Sequence, residues 1–307
     1  MREWLRSLAC MPARVVALAG VTFTQLIRMR LFWVLAVFGV GFLALQFLPY
    51  HGHLGTETRG LNQLQLIKDV ALGCMQMFGL IFCVGATALL IPRDAEDRIL
   101  YTILCKPVPR FEYLLGKLLG VWGILLAMVL LMDGMLVLIL HLREATLSTE
   151  LTELLTKQGA TAEQMQPYLA QIADAGNSWN MQRGIVAMFL GYGVLTSLTL
   201  LFSTFTSGTI VSMVFGLGAY FLGMFRHQLF AGINAGLGAD GTGPGMRLAE
   251  QVATVILPDF SIFNVADTTS AGVSLSGGML GSLALIAAGY MLLHLLVSTL
   301  IFSRKEF

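Results

Sequence analysis

The sequence predicts an all-α integral membrane protein, and two observations carry that prediction. Only 12% of the 307 residues are charged, against about 25% in a typical soluble domain, and 56% are hydrophobic. The hydrophobic residues also gather into runs that can cross the hydrocarbon core of a bilayer, which takes about 20 residues of helix. Because so few charges cannot cover a water-facing surface, lipid is the expected solvent for most of the chain. The formal net charge of +1 argues against a nucleic-acid partner.

The apolar runs predict six transmembrane helices, at 31–48, 70–91, 114–142, 185–205, 209–225 and 280–302. Pro49 and Pro92 are expected to end the first two spans. Residues 14–30 place apolar and polar side chains on different faces of a helix, which is typical of an amphipathic helix at the membrane interface. Residues 1–30 are therefore predicted to be a cytoplasmic N-terminus with an interfacial helix.

The distribution of basic residues predicts that both termini are cytoplasmic. With the N-terminus inside, the 19 Lys and Arg divide into twelve on the cytoplasmic side and seven on the other side. This orientation divides the chain into residues 31–142, which hold three spans and a cytoplasmic loop at 92–117, and residues 184–307, which hold the other three. Residues 143–183 and the loop 226–278 are then extracytoplasmic.

Residues 143–183 predict a helical hairpin outside the membrane. Ser148 is expected to cap a first helix over 151–157. Thr161-Ala-Glu-Gln164 is a capping box for a second helix that ends near Gly176. The glycine-rich stretch 236–245 in the other loop has no following Lys-Ser or Lys-Thr, so it does not match a phosphate-binding loop.

No catalytic motif is found in the chain, which contains no Walker A, H-E-x-x-H, G-x-S-x-G or C-x-x-C pattern. His51 and His53 form the nearest approach to a metal-binding pair, but zinc takes four ligands, so no metal site and no bound cofactor are predicted. Asp133 lies within a predicted span, where a carboxylate costs about 2.5–3.5 kcal/mol. It either contacts a substrate or proton, or accepts a hydrogen bond from Ser, Thr or Tyr of a neighbouring helix. Gly116-x-x-x-Gly120 indicates close helix packing.

The cytoplasmic loop 92–117 carries the most specific pattern. Ile99, Leu100, Ile103 and Leu104 form the apolar face of a short helix that Pro107 ends. Charged residues lie off that face and return after the prolines. Such a helix suits the transmission of a movement into the membrane, and an ordinary surface helix is the simpler interpretation.

This loop resembles the intracellular loop of ABC-2-type transporter permeases. The matching positions are Glu96, Arg98, Tyr101, Leu104, Lys106, Pro107, Val108, Arg110, Gly116 and Lys117. Ile99 departs from the common Thr, and Ile103 departs from the usual Leu. The order of spans and loops is similar along nearly the whole chain, most of all to the permeases of the nitrous-oxide-reductase maturation system.

The resemblance implies a permease subunit in the bacterial inner membrane that forms a dimer with a second copy or homologue. ATP and Mg²⁺ would be bound by separate ATP-binding subunits, and the family prior favours export. The docking surface implied for that partner is Arg98, Tyr101, Thr102, Lys106, Pro107 and Arg110. One alternative is an ATP-independent membrane scaffold that recruits extracytoplasmic partners through residues 143–183. A membrane-embedded enzyme is a third hypothesis, and the solitary Asp133 argues against it.

Overall fold

The structure, a computed structural model, describes residues 2–44, 61–96, 109–157, 162–176, 178–206, 208–229, 231, 257–264 and 275–304. In these ranges the helices are α1 (Arg2–Ile27), α2 (Arg30–Ala44), α3 (Leu61–Glu96), α4 (Arg110–Lys157), α5 (Ala162–Ala175), α6 (Trp179–Phe205), α7 (Thr209–Met224) and α8 (Gly277–Arg304). A 3₁₀ turn, Ser261–Phe263, precedes α8. The prediction of an α-helical membrane protein is confirmed.

Four of the described helices, α3, α4, α6 and α8, are long and apolar enough to cross a membrane. Helices α1 and α2 pass the same test only as a pair, and they meet at a bend of 66°. Helix α7 is apolar but has 16 residues, which is shorter than the hydrocarbon core requires for a straight crossing. The count of six spans with both termini in the cytoplasm therefore stays a prediction.

Helix α6 forms the centre of the bundle. Every residue from 191 to 200 is buried, so this helix is covered on all sides, as expected for a helix that is hydrophobic all round. Its neighbours are α3, α4, α7 and α8. Gly79 of α3 leaves room for the ring of Tyr192, whose hydroxyl donates to the carbonyl of Met75 at 2.9 Å.

Several hydroxyl groups inside the bundle donate to acceptors within the protein, because a bilayer core offers no water as a partner. Thr196 Oγ1 donates to the carbonyl of Tyr192 at 2.7 Å, one turn back in α6. Ser197 Oγ lies 2.9 Å from His294 Nδ1 and so connects α6 to α8. These contacts give Thr196 and Ser197 partners within the protein although both lie in the bundle interior.

Helix α3 continues through Pro92 to Glu96, so the prediction that this proline ends the span is wrong. Proline has no N–H to donate to the carbonyl four residues earlier, which belongs to Ala88. Ser203 Oγ of α6 donates to that carbonyl at 3.5 Å. A neighbouring hydroxyl thus replaces the missing partner, which is how membrane helices tolerate proline.

The predicted cap at Ser148 is also wrong, because α4 is one unbroken helix of 48 residues. Ser148 Oγ donates to the carbonyl of Ala145 at 2.9 Å, and Thr152 and Thr156 donate to carbonyls of the same helix. No glycine or proline interrupts this part of the chain, so the helix continues past its apolar section. The second predicted helix is present as α5, which packs on α3 and α4.

Candidate functional site

The first turns of α4 receive the N-terminal helix α1. A Cβ atom at Gly116 would lie 2.5 Å from Leu18 Cβ, and one at Gly120 would lie 2.5 Å from Thr22 Cβ. Only glycine therefore permits this approach. The contacts follow the same order along both helices, so α1 runs in the same direction as the start of α4. The Gly116-x-x-x-Gly120 pattern thus serves helix packing within the chain, with α1 as its partner.

Beside this contact, a buried carboxylate at the end of α3 pairs with α4. Lys117 Nζ lies 2.6 Å from Asp94 Oδ2, and the two side chains are 4% and 0% exposed. The hydroxyl of Tyr113 donates to the same oxygen at 2.6 Å. Two opposite charges removed from water in this way must be paired closely, because the loss of hydration is large.

Gln25 of α1 completes the group. Its Nε2 donates to Asp94 Oδ1 at 3.3 Å, and its Oε1 accepts from Lys117 Nζ at 3.2 Å. Asp94, Lys117, Tyr113 and Gln25 are called the Asp94 cluster below. The cluster ties α1, α3 and α4 together at one point and satisfies both oxygens of the buried carboxylate.

Two further contacts fasten the start of α4. Arg14 of α1 forms a bidentate ion pair with Glu112, with Nε 3.0 Å from Oε2 and Nη2 3.1 Å from Oε1. Arg110 Nη1 donates to the carbonyl of Phe302 at 2.6 Å, near the end of α8. The ring of Phe302 also stacks on Tyr113, with 5.9 Å between ring centroids. The start of α4 is therefore held by α1, α3 and α8.

One of the six predicted docking residues lies in the part of the chain that the structure describes, and five do not. Arg98, Tyr101, Thr102, Lys106 and Pro107 lie outside the described residues. Arg110 is described, and its guanidinium group contacts Phe302 within the chain. Residues of the Asp94 cluster flank the segment 97–108 in the sequence. Asp94 lies before it, and Tyr113 and Lys117 lie after it.

Asp133 of α4 lies level with the first turn of α6. Gln182, in the first turn of α6, donates from Nε2 to Asp133 Oδ1 at 3.0 Å. The start of α8 is held at the same end, where the backbone N–H of Leu275 donates to Asn180 Oδ1 at 2.6 Å. A hydrogen bond from a neighbouring helix was one of the two predicted alternatives, and the donor is an amide rather than a hydroxyl.

A second buried carboxylate anchors the segment that precedes α8. Asp259 Oδ2 lies 3.2 Å from Arg226 Nη2 and 2.8 Å from His227 Nε2. Asp259 Oδ1 accepts from the backbone N–H and the hydroxyl of Ser261 at 3.0 and 2.6 Å. Burial by itself would raise the pKa of Asp259, but the hydrogen bonds from Ser261 and the Arg226 charge outweigh it and lower the pKa. Asp259, Arg226, His227 and Ser261 are called the Asp259 cluster below.

Aromatic residues extend this anchor into the bundle. Phe260 packs against Gly223 of α7, and Phe263 packs against Gly191 of α6, where a side chain on either glycine would collide. Both phenylalanines are buried. The segment 257–264 is thus held by a charged contact at the surface and by two rings below it.

The described residues contain no group of three His, Cys, Asp or Glu side chains that could hold a metal ion. His51 and His53 lie outside the described residues. The described residues form one ionic cluster at the base of α4 and another at the end of α7.

Long apolar helices around a buried α6 define a multi-pass α-helical membrane protein. The model of the ABC-2 family transporter proteins matches residues 46–304. The chain therefore belongs to the ABC-2 family, as the permease component of an ABC transporter that works with an ATP-binding subunit. A search of curated proteins found no match to this chain.

Proposed function

We propose that this permease couples ATP hydrolysis by a separate subunit to export across the bacterial inner membrane, and that it acts as a dimer. The partner subunit would bind ATP and Mg²⁺. In this proposal the segment 97–108 docks that subunit through Arg98, Tyr101, Thr102, Lys106 and Pro107. Arg110 positions the end of the segment by holding Phe302. The finer similarity to the permeases of nitrous-oxide-reductase maturation belongs to the same proposal.

The observation that carries the proposal is the position of the Asp94 cluster. Asp94 lies three residues before the segment, and Tyr113 and Lys117 lie shortly after it, so both ends are fastened at one point. A push on the segment reaches α3 and α4 together, and it reaches α1 through Gln25. Buried, fully paired polar groups of this kind make a stiff connection. The family match favours this function over an ATP-independent scaffold.

Co-purification tests the docking surface. The change Arg98→Glu with Lys106→Glu should reduce the amount of ATP-binding subunit that purifies with the permease, because two cations of the surface become anions. The matched control is Arg304→Glu, which reverses an exposed charge at the end of α8 outside the proposed surface. Unchanged association and unchanged stimulated ATP turnover in the double variant would show that the docking assignment is wrong.

A second experiment separates docking from coupling. The double change Asp94→Asn with Lys117→Met removes the ion pair but leaves the proposed docking residues in place. Association with the ATP-binding subunit should persist, while the stimulation of ATP turnover by the permease should fall. Full stimulation in this variant would exclude the Asp94 cluster as the connection between the segment and the helices.

A further inference from the structure

Helix α1 has a second face, turned away from α4, that borders an open groove of about 730 Å³. Val15, Leu18, Ala19 and Thr22 face the glycine surface of α4. Gly20, Val21, Thr24, Gln25 and Arg28 line the groove at helical spacing, and Arg93 of α3 lines it from the other side. The groove therefore lies between α1 and the end of α3, next to the Asp94 cluster.

The groove combines an apolar floor with a cationic rim. Val21 is 61% exposed, and nothing lies within 4 Å of the position that a Cβ of Gly20 would take. Arg28 and Arg93 are both exposed, and they bring two guanidinium groups from different helices to one opening. Two guanidinium groups suit a phosphate, because each has five N–H donors and can donate to a phosphate while it keeps a contact within the protein.

We propose that this groove binds an anionic phospholipid, with its phosphate against Arg28 and Arg93 and an acyl chain along Gly20 and Val21. Charge complementarity selects the anionic headgroup, and the apolar floor selects a ligand that carries hydrocarbon. The site lies where the amphipathic α1 meets the charged end of α3, as expected for headgroup depth. A free phosphate would leave the exposed floor uncovered.

Binding at this place has a consequence for the neighbouring cluster. Gln25 lines the groove and also contacts Asp94 and Lys117. A lipid that bridges Arg28 and Arg93 holds α1 against α3 beside that contact. The lipid site depends on the membrane location of the family and not on the proposed docking of the ATP-binding subunit, so either proposal can fail without the other.

Native mass spectrometry of the delipidated full-length chain in detergent tests the site. The probe is dioleoyl phosphatidylglycerol, compared with dioleoyl phosphatidylcholine, which has the same acyl chains and no net charge. Arg28→Gln with Arg93→Gln should lower the affinity for phosphatidylglycerol by about 25-fold, at about fivefold for each basic residue. The matched control Arg30→Gln removes an exposed charge two residues away and should leave the affinity unchanged.

The apolar floor is tested by Gly20→Leu. The open space at this position lets the chain fold, and the new side chain occupies the groove, so the affinity for both lipids should fall. Equal phosphatidylglycerol affinity in the wild type and the Arg28→Gln, Arg93→Gln variant would overturn the proposal, as would an equal loss in Arg30→Gln. Displacement of the lipid by matched concentrations of glycerol 3-phosphate would identify free phosphate as the ligand instead. If the wild type binds neither lipid, and the Arg28→Gln, Arg93→Gln variant no longer purifies with the ATP-binding subunit, the groove is a protein-binding surface and the proposal is overturned.

Discussion

The Asp94 cluster and the Asp259 cluster both surround a buried carboxylate with several donors, but they connect different parts of the molecule. Asp94 joins three helices in the interior, and its counter-ion Lys117 is 4% exposed. Asp259 joins a short segment to the end of α7, and its partner His227 is 73% exposed. The first cluster is closed to water, whereas the second remains in contact with it. The energetic consequence of a change should therefore be larger at Asp94 and should depend on pH at Asp259.

The largest effect is expected from Lys117→Met. This change leaves Asp94 buried beside Tyr113 and Gln25 without a counter-charge, and removal of one partner of a buried pair costs about 3–5 kcal/mol. Thermal unfolding of the purified permease in detergent should show a large fall in midpoint temperature.

The double variant Asp94→Asn with Lys117→Met sharpens this result. With neither charge present, no unpaired ion remains, so most of the lost stability should return. A double variant that is as unstable as both single losses added together would mean that the two groups do not interact, and the comparison between the clusters would fail.

The next largest loss of stability is expected at the contact between α1 and α4, which places Gln25 in the Asp94 cluster. Gly120→Ala places a Cβ against Thr22 and forces α1 away, at a cost of about 1–3 kcal/mol. Gly134→Ala is the control, because nothing lies within 4 Å of its added Cβ, and the same change should raise stability by about 0.5–1 kcal/mol. Opposite signs for two glycines of one helix in thermal unfolding would verify the packing. A neutral Gly120→Ala would contradict it.

A smaller, pH-dependent effect is expected from Asp259→Asn, at about 1 kcal/mol near neutral pH. The folded pKa of Asp259 is lowered, so its contribution is present above the ordinary aspartate pKa of 3.8 and is lost as the pH falls through the folded value. The difference in unfolding temperature between wild type and Asp259→Asn should therefore shrink when the pH is lowered from 7 to 3. If the difference in unfolding temperature stays constant between pH 7 and 3, the charge of the Asp259 carboxylate is not the cause of the stability difference.

The smallest effect is expected from His227→Gln. Its exposed ring contributes one of several donors to Asp259, and surface changes are usually within about 0.5 kcal/mol. Stability measured at neutral pH should hardly change. A loss comparable to that of Asp259→Asn would mean that the histidine, rather than Arg226 and Ser261, holds the carboxylate.

Much of the helical architecture could be predicted from composition and run length, because bilayer thickness fixes how long an apolar helix must be. The continuation of α3 through Pro92 could not be predicted, since it depends on Ser203, which lies 111 positions further along the chain. The cap at Ser148 failed for a related reason. A serine can cap a helix or donate to its own helix, and local sequence does not choose between these.

The candidate site was predicted in part. The spacing of Gly116 and Gly120 indicated a close approach of helices but not which helix approaches. Asp94 and Lys117 were both visible as charges bordering apolar runs, and their opposite signs at the two ends of one loop were the available signal. Gln25 gave no signal of its own, because an amide on an amphipathic helix is ordinary until its neighbours are known.

The unbroken course of α4 has a mechanical consequence. From Gly116 to Lys157 the helix is about 60 Å long, so a tilt of about 5° at its base displaces the far end by about 5 Å. No glycine or proline follows Gly134 in α4, so the outer part of the helix carries that displacement without absorbing it. Among the described helices, the tip of α4 is therefore where a small rearrangement at the opposite end would be most visible to a distance probe.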